Sequence, residues 1–428
     1  MNDTDLLEAN AISFEILESM ADAICSKLCK IVNEKLVGTD LKEVSYEIIL
    51  NDSSNAGVYY DLSKIVITTG MVRSIYQDAL NFPLYSIRVS KDFNIEELVN
   101  KVYYGNEFIF DGGIPEIPDC QLTEFSNFYK NTWIEAGANK TQEIPAKYSF
   151  DYPNALSCRF LMFELMMVWV FYHEFAHYTQ KHNLLQKGAK THFESSAFDI
   201  LDSALIDEKY LSQAREVLAD TDAMLNTLRY LLSETKRIHP GSLYLLVSVQ
   251  ACMFIRFYKN KNSNYTNDIS VGYTHPHPAV RNTFLQLIFI EAMMWDVRKN
   301  MSISEEKKES FLVGFKYIAG RANLFSVAYY TARYSIEEDD RFNFLYLIGR
   351  ENKDKLQNEV SIIVRFVNSQ LLDIIKNTNE NENHIHFLTS VNYFKRIGQY
   401  YPEFFEEQGN DRGEQVVIVN DSDLNTLK

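Results

Sequence analysis

Apolar positions recur at helical spacing over long stretches of this chain and alternate over only two short ones. Residues 10–36 carry an apolar-periodic helix that Gly38 and Asp40 end. The runs SYEIIL (45–50) and SKIVITT (63–69) read as strands, with the polar turn Asn51–Asn55 between them. After Gly70 the run Met71–Leu80 turns helical, and residues 85–90 suggest another strand. Residues 92–150 are mixed, with Gly112, Gly113, Pro115 and Pro118 marking a loop-rich insertion or flap. From Asn154 to about Lys181 runs one long helix, apolar almost all round until its histidines begin. Further helices are predicted over 193–203, 207–235, 241–258, 279–299, 308–332 and 352–376. The pattern is that of an α+β chain, mostly helical, with a small N-terminal sheet. It divides into 1–150, a helical core over 151–300, and a helical C-terminal region over 301–428 that is a candidate regulatory part.

Composition narrows the class. A chain of 428 residues can bury a sizeable core. Lys and Arg total 42 against 58 Asp and Glu, a net charge of -16, which argues against a nucleic-acid surface. Five cysteines do not make a disulfide framework, and Cys25 and Cys29 read as thiols on one helical face. With the acidic start MNDTDLLEAN, they predict a cytoplasmic protein. The apolar runs Phe160–Tyr172, Leu243–Phe257 and Phe284–Met294 are each broken by polar residues, so no transmembrane segment is expected.

Chemistry concentrates in three places. His173-Glu174-Phe175-Ala176-His177 puts two imidazoles four apart on one helical face, able to grip one metal ion, with Glu174 beside them to reach a water. Neutral imidazole suits Zn²⁺. In REVLADTDAM (215–224), Glu216 and Asp220 again share a face: Glu216 is the expected third ligand and Asp220 the carboxylate that orients a ligand ring. Ala219 between them allows close helix approach, and Asp222 should point away into solvent. His182 falls about 140° off the ligand face on a straight helix, and Glu164 is expected to be a buried structural partner, for instance of an arginine. In GYTHPHPAVRN (272–282) two His-Pro pairs make a stiff loop that can hold His275 or His277 over the site. Arg281 would pair with a carboxylate such as Asp220 or Glu164.

These elements together resemble the gluzincin metallopeptidases, and among them the branch of CAAX-prenyl and heat-shock membrane peptidases with their soluble relatives. The resemblance rests on HEFAH (173–177), EVLAD (216–220), THPHPAVR (274–281) and the upstream NAGVYYDLSKIVITTGMV (55–72). A looser likeness is to the phage-exclusion class of cytosolic HExxH peptidases. The resemblance implies a zincin-like core with one Zn²⁺ per chain held by His173, His177 and Glu216. Glu174 would be general base, Asp220 and Arg281 supports, and His275 the transition-state donor. It also implies an edge strand through Ile65, Ile67 and Thr69 that pairs with an extended protein or peptide substrate. The remaining expectation is a zinc endopeptidase of intracellular proteins with a regulatory partner at the C-terminal region; a catalytically silent zinc-binding protein on the same fold is the alternative.

Overall fold

The computed structural model describes residues 14–92, 122–138, 153–185, 191–193, 206–235, 239–259, 275–300, 302–335 and 353–377. These residues hold helices α1 (Phe14–Leu36), α2 (Thr69–Asp92), α3 (Glu124–Ala138), α4 (Pro153–Thr179), α5 (His182–Leu185) and α6 (Ile206–Thr235). Helices α7 (Pro240–Lys259), α8 (Pro278–Asn300), α9 (Glu305–Ser335) and α10 (Lys353–Asn377) follow. The strands are β1 (Ser45–Ile49), β2 (Ala56–Tyr59), β3 (Lys64–Thr68) and β4 (Thr191–Phe193). The protein is mostly helical with a small sheet, as its apolar periodicity predicts.

Helix α4 is the axis of the core. Every residue from Leu161 to Tyr172 is at most 3% exposed, because a helix that is apolar on all sides must be covered on all sides. Helices α1, α2, α3, α6 and α7 pack against it. Helix α9 lies along α7 and α8, and α10 lies on α6, so the described part of 301–428 shares one apolar core with the residues before it. Helix α9 also meets α2, where Tyr329 and Tyr330 donate to the buried carboxylate of Asp78. One described stretch, Pro240–Phe257 in α7, is long and apolar enough to cross a membrane, and 94% of it is buried inside the protein.

The sheet runs β1-β3-β2-β4. Strand β2 was not anticipated; the sequence suggested only a turn between 50 and 63. Strand β2 hairpins with β3 (Val58 opposite Ile65, Ala56 opposite Ile67), and β3 in turn lies parallel to β1 (Tyr46 opposite Ile65). Strand β3 is therefore interior. Ile65, Ile67 and Thr69, expected on a substrate-binding edge, are no more than 1% exposed; the flanking strands take the ladder bonds of β3, and Thr69 bonds the Asn51 main chain. Gly70 sits where the chain passes the preceding turn so closely that a Cβ would fall 2.3 Å from the Asp52 carbonyl oxygen.

The strand expected at 85–90 is instead the second half of α2, which continues through Pro83 to Asp92. A proline inside a helix forfeits one backbone bond. Burial at helical spacing of Ile75, Ala79, Phe82 and Ser86 outweighs that loss, and Ser86 meets the Tyr244 hydroxyl at 3.0 Å. Of the expected flap at 92–150, the described residues 122–138 include α3 (Glu124–Ala138), packed against α4. The helix predicted over 193–203, apart from Phe193 in β4, lies outside the described residues.

Candidate metal centre

Helix α4 supplies His173 and His177, and α6, packed beside it, supplies Glu216 and Asp220. Small buried residues, Ala176 on α4 and Ala219 and Ala223 on α6, keep side-chain bulk low on these helices. Gln180 fixes the end of α4 to α6: its Nε2 donates to the Leu218 carbonyl at 3.2 Å and to Asp222 Oδ2 at 2.8 Å. Asp222 is thus a buried acceptor and not the solvated carboxylate expected, because the α4 end covers that face of α6.

The three expected ligand side chains converge. His173 Nε2 and His177 Nε2 are 3.1 Å apart, and the Glu216 oxygens lie 3.5 Å from each imidazole nitrogen. Tetrahedral donors at zinc-like bond lengths of about 2.0–2.1 Å would sit about 3.3 Å apart. The observed spacings straddle that value, so this buried His-His-Glu group could hold one metal ion. All three residues are at most 1% exposed. Trp169, one turn before His173, stacks on its ring at 4.9 Å.

A second layer holds the ligands. Asp220 Oδ1 is 3.1 Å from His173 Nδ1, and Arg281, reaching in from the first turn of α8, donates to both Asp220 oxygens at 2.8 and 2.6 Å. Of the two carboxylates proposed for Arg281, Asp220 is the partner. The guanidinium also lies 4.3 Å over the Phe254 ring. Glu164 is buried among the hydroxyls of Thr123, Ser126 and Tyr230 rather than beside an arginine. His275 comes to the centre, its Nε2 3.0 Å from Glu216 Oε2. His277 caps α8: its Nδ1 accepts from the Ala279 amide, and its carbonyl accepts from Val280 and Arg281. The rigid loop therefore delivers one histidine to the site and spends the other on the helix start.

Burial alone would raise the Glu216 carboxyl. The charges of His275 and His177, with hydrogen bonds from His173 and His177, overcome it and hold the group well below the usual carboxylate range.

Two residues of this neighbourhood escaped the sequence reading. His182 Nδ1 lies 2.6 Å from His177 Nδ1, because α4 stops at Thr179 and the chain folds back; helical extrapolation missed it. Tyr60, just past β2, is 7% exposed, and its hydroxyl has no hydrogen-bond partner among the described residues. Burial first, then the charges of Glu174 and Glu216, push it well above its ordinary value. Alternation through Val58 and Tyr60 was the available signal for it. His192 lies in β4 opposite Val58; His384 and His386 lie outside the described residues. The chain matches no protein-family model, no curated protein and no solved structure, so the site rests on its own geometry.

Proposed function

We propose that this chain is a zinc-dependent peptidase that hydrolyses peptide bonds of protein substrates. The observation that carries the reading is the buried His173–His177–Glu216 group: the two Nε2 atoms are 3.1 Å apart, Glu216 Oε2 is 3.5 Å from His173 and Oε1 3.5 Å from His177, with Asp220 and His275 alongside. When bound, zinc supplies a Lewis acid and a water of lowered pKa. Glu174 follows His173 on α4, is fully buried, and is felt electrostatically at the Tyr60 hydroxyl together with Glu216. It accepts the proton of the attacking water and returns it to the leaving amine nitrogen. His275 and Tyr60 are the donors for the negative charge that develops on the scissile carbonyl oxygen. Since β3 is interior, main-chain pairing with an extended substrate falls to an outer strand of the sheet, β1 or β4.

One observation favours a second reading, a catalytically silent zinc-binding protein of regulatory or interaction function. The three ligands and His275 are all at most 1% exposed, and His275 Nε2 lies within 3.0 Å of Glu216. Ligands this deeply buried favour a closed zinc site, whereas a catalytic site keeps one position open to water.

Metal analysis of protein purified without added zinc or a histidine tag, followed by cleavage assays, separates the readings. The peptidase reading expects about one zinc per chain, and a Glu174→Gln variant that keeps the metal while its cleavage rate falls by about 10²–10⁴. Protein with no stoichiometric metal overturns both readings. Tightly bound zinc without cleavage of any peptide by the wild type favours the second.

A further inference from the structure

Helix α4 ends in a specific reversal. The Gln180 amide donates to the Ala176 carbonyl at 2.9 Å and the Lys181 amide to the Tyr178 carbonyl at 3.1 Å, after which Lys181 adopts φ 54. A lysine in the left-handed region costs about 1 kcal/mol, a cost that glycine would avoid. Short helix α5 then starts, with Leu184 donating to the Lys181 carbonyl at 2.9 Å. The effect of this turn is to carry His182 back beneath the last ligand turn of α4. There it is wholly buried, with its ring 4.8 Å from that of His177 and the two Nδ1 atoms 2.6 Å apart.

That separation is too short for two donors of one ion, which would stand about 3.3 Å apart. It is a hydrogen-bond contact, and its direction follows from the chemistry of a ligand. His177 turns Nε2 toward His173 and Glu216, so a ligating His177 carries its proton on Nδ1 and donates it; His182 Nδ1 accepts, with the His182 proton on Nε2. At the other ligand ring, Asp220 Oδ1 lies 3.1 Å from His173 Nδ1.

We propose that His182 is a positioning residue of the metal centre, whose Nδ1 accepts the Nδ1–H of His177 and so locks that ligand in the tautomer and ring orientation that present Nε2 to the ion. The role rests on the metal-site reading above and extends it, since the two ligand histidines then have different outer partners: a charged carboxylate for one and a neutral imidazole for the other.

The test is zinc affinity, measured on the full chain by competition with a chromogenic chelator, with circular dichroism to establish folding. His182→Phe keeps a ring but has no acceptor; His182→Asn gives up the ring but places Oδ1 near where Nδ1 was. Loss of a ligand's outer partner weakens metal binding by about 10–100-fold. That loss is expected for H182F, with H182N close to the wild type. Should H182F not fold, H182L, smaller and also without an acceptor, carries the same expectation. Wild-type affinity in H182F or H182L, or H182N falling at least as far as they do, overturns the positioning role; the second pattern means that volume matters and the acceptor does not. If His177→Ala binds zinc as tightly as the wild type, it is the metal site that fails, and the two failures are thereby told apart.

Discussion

Arg281 grips Asp220 at both carboxylate oxygens, Nε to Oδ2 at 2.8 Å and Nη2 to Oδ1 at 2.6 Å, and the second oxygen also lies 3.1 Å from His173 Nδ1. Three distant stretches of chain are joined through one carboxylate: α8 fixes the anion, α6 carries it, and α4 receives it at a ligand ring. Asp220 and Arg281 are 6% and 2% exposed, so neither charge is relieved by water if the other is lost.

Arg281→Met should therefore destabilise the protein by about 3–5 kcal/mol, because a buried carboxylate is left without its counter-charge. Urea unfolding measures this. In the double variant with Asp220→Asn both charges are gone, and much of the stability should return. Zinc affinity should not return with it, since His173 has then lost its charged partner. If the two substitutions simply add in stability, the pair is not the coupled unit described here.

How much of this was legible in the sequence depends on the range of the contact. Helix α4 could be read because its apolar face is continuous, and His173, His177, Glu216 and Asp220 because i, i+4 spacing is a local property of any helix. The meeting of α4 and α6 could be inferred only from chemical need, with Ala219 as a hint. The sheet order was beyond reach: β2 is four residues long, and whether β3 is an edge or a centre depends on pairings that sequence spacing does not encode. The 85–90 segment went to helix because tertiary burial overrode a local strand-like pattern across a proline. His182 was misplaced because a single left-handed residue, a lysine with no glycine to announce it, redirects the chain.

Glu164 gives a pH test that does not involve the metal. It is wholly buried, and burial raises its pKa above the ordinary 4.5 although hydroxyls of Ser126, Thr123 and Tyr230 act in the opposite sense. A carboxyl whose folded pKa is raised holds its proton more tightly folded than unfolded. Its contribution is fully present below the unfolded pKa and is lost as pH rises through the folded pKa. Glu164→Gln cannot ionise, so its stability relative to the wild type should grow as pH rises from about 4.5, then level off. The gain is about 1.4 kcal/mol for each pH unit between the folded and unfolded pKa. Urea midpoints from pH 4 to 8 (a range chosen to span the carboxylate and histidine regions) check it, and a difference constant across that range would show that the carboxyl is not perturbed.

Tyr60 offers a test in which the peptidase reading and stability point in opposite directions. Its hydroxyl is buried without a hydrogen-bond partner among the described residues, beside the charges of Glu174 and Glu216. A buried polar group with no partner destabilises a fold by about 1–3 kcal/mol. Tyr60→Phe should therefore leave the protein as stable as before or more so, seen as an equal or higher urea midpoint. Burial and those two carboxylates push its pKa well above the ordinary 10, so it is a donor at neutral pH. If that donor meets the carbonyl oxygen in the transition state, its removal should lower kcat by about 10²–10³. Zinc content should be unchanged, and so should KM, because the interaction is made in the transition state and not in the bound substrate. A variant with raised stability and undiminished kcat would show the hydroxyl to be a packing defect, leaving His275 as the donor at the carbonyl oxygen.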